Sequence, residues 1–220
     1  MQIEVLFGWL GGLIFVLRLV PQPVRLWRTG VRDGVSWLAT VNGIVSTSGW
    51  LAYGLLVERP VLWVPSIVAL VPEVVTLVLL GVRPPDRRQL ALFLGWFCLV
   101  ALAYPVGGVA ALGAMIGLGV VVGVTPAVVT ALRNDNLVGI ARRTWQIALL
   151  DAALWGAYGF GTAEPLTAFY GIVLGTGASI ILYRVAVTSR RSAADASEAP
   201  AVGQVGAHTD GVVAGLADGA

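Results

Sequence analysis

The chain has 220 residues, 57% of them hydrophobic and only 12% charged, with a mean hydropathy of +0.85. A soluble protein carries about 25% charged residues, so this composition excludes an ordinary soluble domain and places the chain in a membrane. The net charge of +2 comes from 14 basic residues, all arginine, and their position at the ends of apolar stretches explains the basic balance without a nucleic-acid partner.

A helix needs about 20 apolar residues to cross the bilayer core. Seven such spans are expected, at residues 4–21, 36–57, 61–82, 89–105, 109–131, 144–161 and 165–187. The first lacks the basic start of a signal peptide and runs straight into the unit described next, so it is expected to stay in the mature protein. From residue 189 on, Ala, Gly, Ser and scattered acids replace the apolar runs, which predicts a disordered tail over 189–220.

Sliding the sequence by 105 residues lays 8–82 onto 113–187 without a gap. The register rests on distinctive residues: Pro21 falls on Pro126, Arg28 on Arg133, Gly34 on Gly139, Pro60 on Pro165, and Trp50-Leu51-Ala52-Tyr53-Gly54 on Trp155-Gly156-Ala157-Tyr158-Gly159. Like composition matches Val and Leu by chance, but not Trp, Tyr, Gly and Pro at fixed spacing. The chain therefore divides into a first three-helix repeat with its cytoplasmic loop (1–88), a linker helix (89–108), a second three-helix repeat (109–188) and the tail. The odd span between the copies makes them run parallel, so the expected fold class is an all-α membrane protein of seven transmembrane helices in a 3+1+3 order.

Arg18, Arg25, Arg28 and Arg32 flank the first connection, Arg83, Arg87 and Arg88 the third, Arg133, Arg142 and Arg143 the fifth, and Arg184, Arg190 and Arg191 the exit of the last span; Arg59 alone lies opposite. The positive-inside rule then puts the N-terminus outside and the C-terminus in the cytoplasm. Arg, Ala, Gly and Val in place of Lys suggest a GC-rich bacterial genome and hence the plasma membrane.

Leu19-Val20-Pro21-Gln22-Pro23-Val24-Arg25-Leu26-Trp27-Arg28 resembles the proline-glutamine signature of the PQ-loop superfamily, and Trp50 to Gly54 is similar to the Trp-x-x-Tyr-Gly ending of the second helix in its SWEET branch. The resemblance covers about residues 5–187 and implies a bacterial SWEET-like transporter that moves a sugar passively by alternating access. It also implies a pocket between the two bundles in which Trp50 and Trp155 hold the sugar. Stacking on indole suits the apolar faces of a sugar, while its hydroxyls need polar partners. Ser46 and Asn42, four and eight residues before Trp50, are candidates on that face; their equivalents are Asp151 and Ile147. Many members bind sugar through an asparagine in the third helix of each repeat. Counting from the Trp motif lands on Ser66 and Gly171, neither of which supplies an amide's paired donor and acceptor. Nor does 36–57 or 144–161 contain the second-helix proline of many members.

Asp151 lies mid-span, where an ionised carboxylate costs about 2.5–3.5 kcal/mol, so it is expected to face a cavity, as a solute ligand or a proton site, or to be protonated against a neighbouring backbone. Glu73 is a second intramembrane acid and a second possible proton site, after Pro72. Pro21 with Gln22, and Pro126, offer matched hinges for an inner gate, or simply end their helices.

Other classes find less support. A retinal pump needs a lysine, which the chain lacks. An enzyme, metal or cofactor is not expected, since His208 lies in the tail, Cys98 in the linker helix as an apolar packing residue, and neither has partners at useful spacing. Two readings stay open beside the sugar carrier: a proton-coupled exporter of an amino acid or other small metabolite, and a receptor of the PQ-loop type that does not transport. The expected partners are a small-molecule solute and the lipid bilayer; with both bundles in one chain, an oligomer is allowed but not required.

Overall fold

The computed structural model describes residues 2–32, 35–81, 86–134, 137 and 141–198, the last eight as backbone alone. Every regular element among them is a helix: α1 (Ile3–Leu19), α2 (Pro21–Thr29), α3 (Trp37–Leu56), α4 (Pro60–Leu80), α5 (Arg87–Arg133), α6 (Arg142–Gly161) and α7 (Pro165–Glu198). In a bilayer a helix satisfies its own backbone polar groups, which is why so apolar a chain takes this form.

The 105-residue shift holds in three dimensions. It carries the ends of α3 onto those of α6, and both α4 and α7 begin on the matched prolines Pro60 and Pro165. The turns before those prolines are alike too, with a left-handed residue at matched places, Glu58 (φ 55°) and Ala163 (φ 52°). The overlaid Gly34 and Gly139 lie outside the described residues.

The spans are drawn differently from the expectation. Four helical stretches are long and apolar enough to cross a membrane: Ile3–Thr29, Pro60–Leu80, Leu90–Arg133 and Pro165–Arg190. The 20-residue α3 and α6 have the length, but Asn42, Ser46, Ser48 and Asp151 dilute their apolarity. The expected spans 89–105 and 109–131 share α5, divided by non-helical angles at Gly107 and Gly108, the latter at φ 66°. The first connection is helical rather than a loop. Val20 keeps helical angles between α1 and α2, which run nearly end to end, and Pro21, lacking an N–H, marks the seam. Helix α7 extends to Glu198, ten residues into the expected tail; residues 199–220, with His208, lie outside the described residues, as does Arg83.

Packing joins the repeats. Helix α1 lies against α4 of its own copy and α6 of the other, α3 against α4 and α5, and α7 against α6 and α5. Tyr53, Leu62, Leu112, Ile116, Trp155 and Tyr158 form the main core cluster. Between α6 and α7 the contact is made of small residues: a Cβ on Gly171 would lie 2.6 Å from the Gly156 Cα, so the backbones nearly touch, as in small-residue helix pairs of membranes. Arg184 of α7 donates to the Ala131 carbonyl (3.0 Å) and binds the final turn of α5. Large apolar side chains such as Leu13, Val71, Val78, Leu99, Val106 and Ile172 point outward, which suits contact with lipid. The chain is a multi-pass membrane protein. Cys98 is exposed on α5 instead of packed inside.

Candidate functional site

A cavity of about 40 Å³ lies where the copies meet, lined by Phe15 of α1, Trp50 of α3, Pro65 and Ser66 of α4, Trp155 of α6 and Tyr170 of α7. Both matched tryptophans reach it. The Trp50 and Tyr170 rings meet edge to face at 5.8 Å, and Trp155 stands against Tyr158 at 5.9 Å. Such pairs fix ring orientation. The space holds a water or two; a drug-sized ligand needs about 300 Å³ or more, so a solute of sugar size requires the aromatic walls to part.

A charged layer follows on one side. The Tyr170 hydroxyl donates to Asp151 Oδ2 (2.7 Å), and Arg18 Nη1 lies 3.3 Å from the same oxygen. Asp151 is fully buried, and its Oδ1 has no hydrogen-bond partner. The Arg18 guanidinium also sits over the Phe15 ring, 5.2 Å from its centre. Beyond this layer opens a vestibule of about 420 Å³, to which Arg18, Gln22, Thr40, Glu73 and Thr76 contribute. Thr47 donates to Glu73 Oε1 (3.1 Å), while Glu73 Oε2 is buried without a partner.

The opposite end carries a second cross-copy link. Tyr53 of α3 donates to Glu164 Oε1 (2.5 Å), and Glu164 Oε2 accepts from the Thr167 N–H (2.9 Å) and hydroxyl (2.8 Å). Glu164 precedes Pro165 and so caps α7, where a carboxylate also meets the positive end of the helix dipole. Its counterpart Arg59 gives α4 no such cap.

The expected site residues divide. Trp50, Trp155 and Ser66 line the cavity, although the Ser66 hydroxyl donates to the Leu62 carbonyl (2.8 Å). Asp151 joins it through Tyr170, and Glu73 and Gln22 belong to the vestibule. Asn42 and Ser46 do not line the cavity. Four helical residues turn through about 400°, so each such step drifts about 40°, and the exposed Asn42 has left the Trp50 face. Gly171 is a packing residue at the α6–α7 contact, and its neighbour Tyr170 supplies the cavity wall. Of the expected hinges, Pro21 opens α2, whereas Pro126 sits inside α5, which runs through it unbroken to Arg133.

Sequence reasoning missed Phe15, Tyr170 and the Tyr53–Glu164 link, and used Arg18 only to set orientation. Arg18 carried a signal: it stands within an apolar span, where a charge seeks an opposite partner, and Asp151 was available.

No family profile matches the chain, and no curated protein does. Among solved structures, the 3.7 Å structure of a eukaryotic SWEET transporter is similar, with a TM-score of 0.67 and 18% identity over 86% of this chain and 98% of that one. The chain has a SWEET-like fold. At this identity the likeness speaks for the fold alone.

Proposed function

We propose that the chain is a membrane transporter for a small polar solute, a mono- or disaccharide in the first place, working by alternating access between two parallel three-helix bundles joined by a linker helix. The observation that carries this reading is the small aromatic cavity between the copies, walled by both matched tryptophans and bracketed by links through buried carboxylates that cross from one copy to the other. Arg18–Asp151 would part to open the vestibule side and Tyr53–Glu164 to open the other, with Pro21 the seam on which α1 and α2 flex. Trp50 and Trp155 would clasp the solute, and Ser66, Tyr170 and Asp151 would bond its polar groups.

In this reading the vestibule faces the cytoplasm, the N-terminus lies outside, and the protein works in a bacterial plasma membrane. The break at Gly107 and Gly108 supports counting 89–105 and 109–131 as separate helices, which completes the 3+1+3 order. A charged solute is the second reading, favoured by the fully buried Asp151 beside the aromatic walls.

Uptake of radiolabelled glucose into proteoliposomes, with and without an imposed pH gradient, tests the proposal. Uptake that vanishes in Trp50→Ala and Trp155→Ala supports the sugar carrier. Its absence from the native protein under both conditions turns the assignment to a charged metabolite.

A further inference from the structure

The charges buried between the helices are unequal in the two copies. Arg18 matches Gly123, Glu73 matches Ala178, Asp151 matches Ser46, and Thr47 matches Ala152. Since the other copy forms the same helices with small residues at these places, the fold does not require the charges. Yet they gather in one zone: Arg18 pairs with Asp151 at 3.3 Å and lines the vestibule together with Glu73.

The charges in that zone do not balance. There are two carboxylates and one guanidinium, and Arg18 is committed to Asp151. Glu73 is 9% exposed, accepts one hydrogen bond from Thr47, and leaves Oε2 buried with no donor. Among the described residues, Arg18 is the one cation of the vestibule lining; α2, which packs against α4, also carries Arg25 and Arg28, neither of which is part of that lining. Arg18 comes from α1, Gln22 from α2, and Ser36, Thr40 and Gly43 from α3. Tyr53, the sole titratable side chain of α3, is bound to Glu164, and α4 has no titratable group besides Glu73. A buried carboxylate with one oxygen unpartnered takes up a proton or draws in a cation instead of staying bare.

The connectivity of the helices adds direction. Arg18 and Glu73 belong to the first copy, on α1 and α4, which pack together, whereas Asp151 belongs to the second. A motion that parts the copies on the vestibule side, each moving as one body, separates Arg18 from Asp151 but not from Glu73. We infer that Glu73 and Asp151 share one exchangeable proton, and that Arg18 passes from Asp151 to Glu73 as the vestibule side opens. In the closed arrangement the proton sits on Glu73 Oε2, and Asp151 is a carboxylate held by Arg18 and Tyr170. On opening, Glu73 gives its proton to vestibule water and pairs with Arg18, and Asp151 takes a proton from that water. The shared proton follows from the charges alone; the handover rests on the alternating-access reading.

Infrared spectroscopy of the full chain in lipid nanodiscs at neutral pH tests this without any solute, so its result is independent of whether glucose is carried. The native protein is expected to show the carbonyl band of one protonated carboxylic acid, and Glu73→Gln to lose it. Asp151→Asn is expected to lose it as well, because the freed Arg18 then neutralises Glu73, whereas Arg18→Gln doubles it. No protonated-acid band in the native protein, or a band that survives Glu73→Gln, overturns the proton. A band lost in Glu73→Gln but kept in Asp151→Asn overturns the handover. Should Arg18→Gln not fold, the other three proteins decide.

Discussion

Arg18 and Asp151 stand 133 positions apart in the chain and 3.3 Å apart in space, and they tie α1 of the first copy to α6 of the second. The pair is lopsided: the Arg18 side chain is 33% exposed and Asp151 is wholly enclosed. Removing the arginine therefore strands a buried carboxylate, whereas removing the carboxylate leaves an arginine with access to the vestibule.

Arg18→Ala is accordingly expected to cost about 3 kcal/mol, the lower end for breaking a buried pair. Asp151→Asn is expected to cost less, and the double variant to recover most of the loss. Unfolding of the four proteins in one detergent gives the coupling as a double-mutant cycle; additive losses would show that the pair contributes nothing to stability.

The matched tryptophans are not equivalent in packing. Trp155 is 8% exposed in the core and so close to α1 that a Cβ on Gly11 would come within 3.1 Å of its ring; Trp50 is half-buried. Trp155→Ala is expected to lose about 3–5 kcal/mol and Trp50→Ala clearly less. Thermal unfolding beside glucose uptake separates the roles, with Trp50→Ala losing uptake while the protein stays folded.

Two glycines of α7 make a controlled pair. A Cβ on Gly171 meets backbone atoms of α6 at 2.6 to 2.8 Å, whereas one on Gly175 meets only the Ala152 Cβ at 3.5 Å. Gly171→Ala is expected to force the helices apart at about 1–3 kcal/mol. Gly175→Ala is expected to be neutral, or to gain up to about 1 kcal/mol from helix propensity. Equal melting temperatures for the two variants would contradict the close approach.

At the far end, Tyr53→Phe removes the donor to Glu164 Oε1 but leaves the cap on Thr167 intact. A loss of about 1–2 kcal/mol is expected, with faster amide exchange around 57–60 and 162–167. Thr167→Val, which removes only the local hydroxyl, is expected to speed exchange at 162–167 alone. Hydrogen-exchange mass spectrometry reads both.

Much of the architecture was legible in the sequence because its signals are local. Helix lengths follow from bilayer thickness, and Trp50-x-x-Tyr53-Gly54 against Trp155-x-x-Tyr158-Gly159 gave the repeat whose 105-residue shift the helix ends obey. The tryptophans and Ser66 were legible through motifs: the resemblance pointed to the Trp of each Trp-x-x-Tyr-Gly, and counting on from the first of these motifs reached Ser66. Asn42 failed because an i,i+4 ladder drifts around the helix, and Gly171 because a motif count locates a position without telling which way its Cβ points.

The sequence by itself determined a membrane-embedded, all-helical, duplicated chain with acids placed where a bilayer penalises them. Tertiary structure decided their partners: Arg18 for Asp151, Thr47 for one oxygen of Glu73, Tyr53 for Glu164. Those choices depend on how α1 crosses from one copy to the other and how closely α6 approaches α7. Such long-range geometry arises from packing across more than a hundred residues of chain, and no local pattern of residues encodes it.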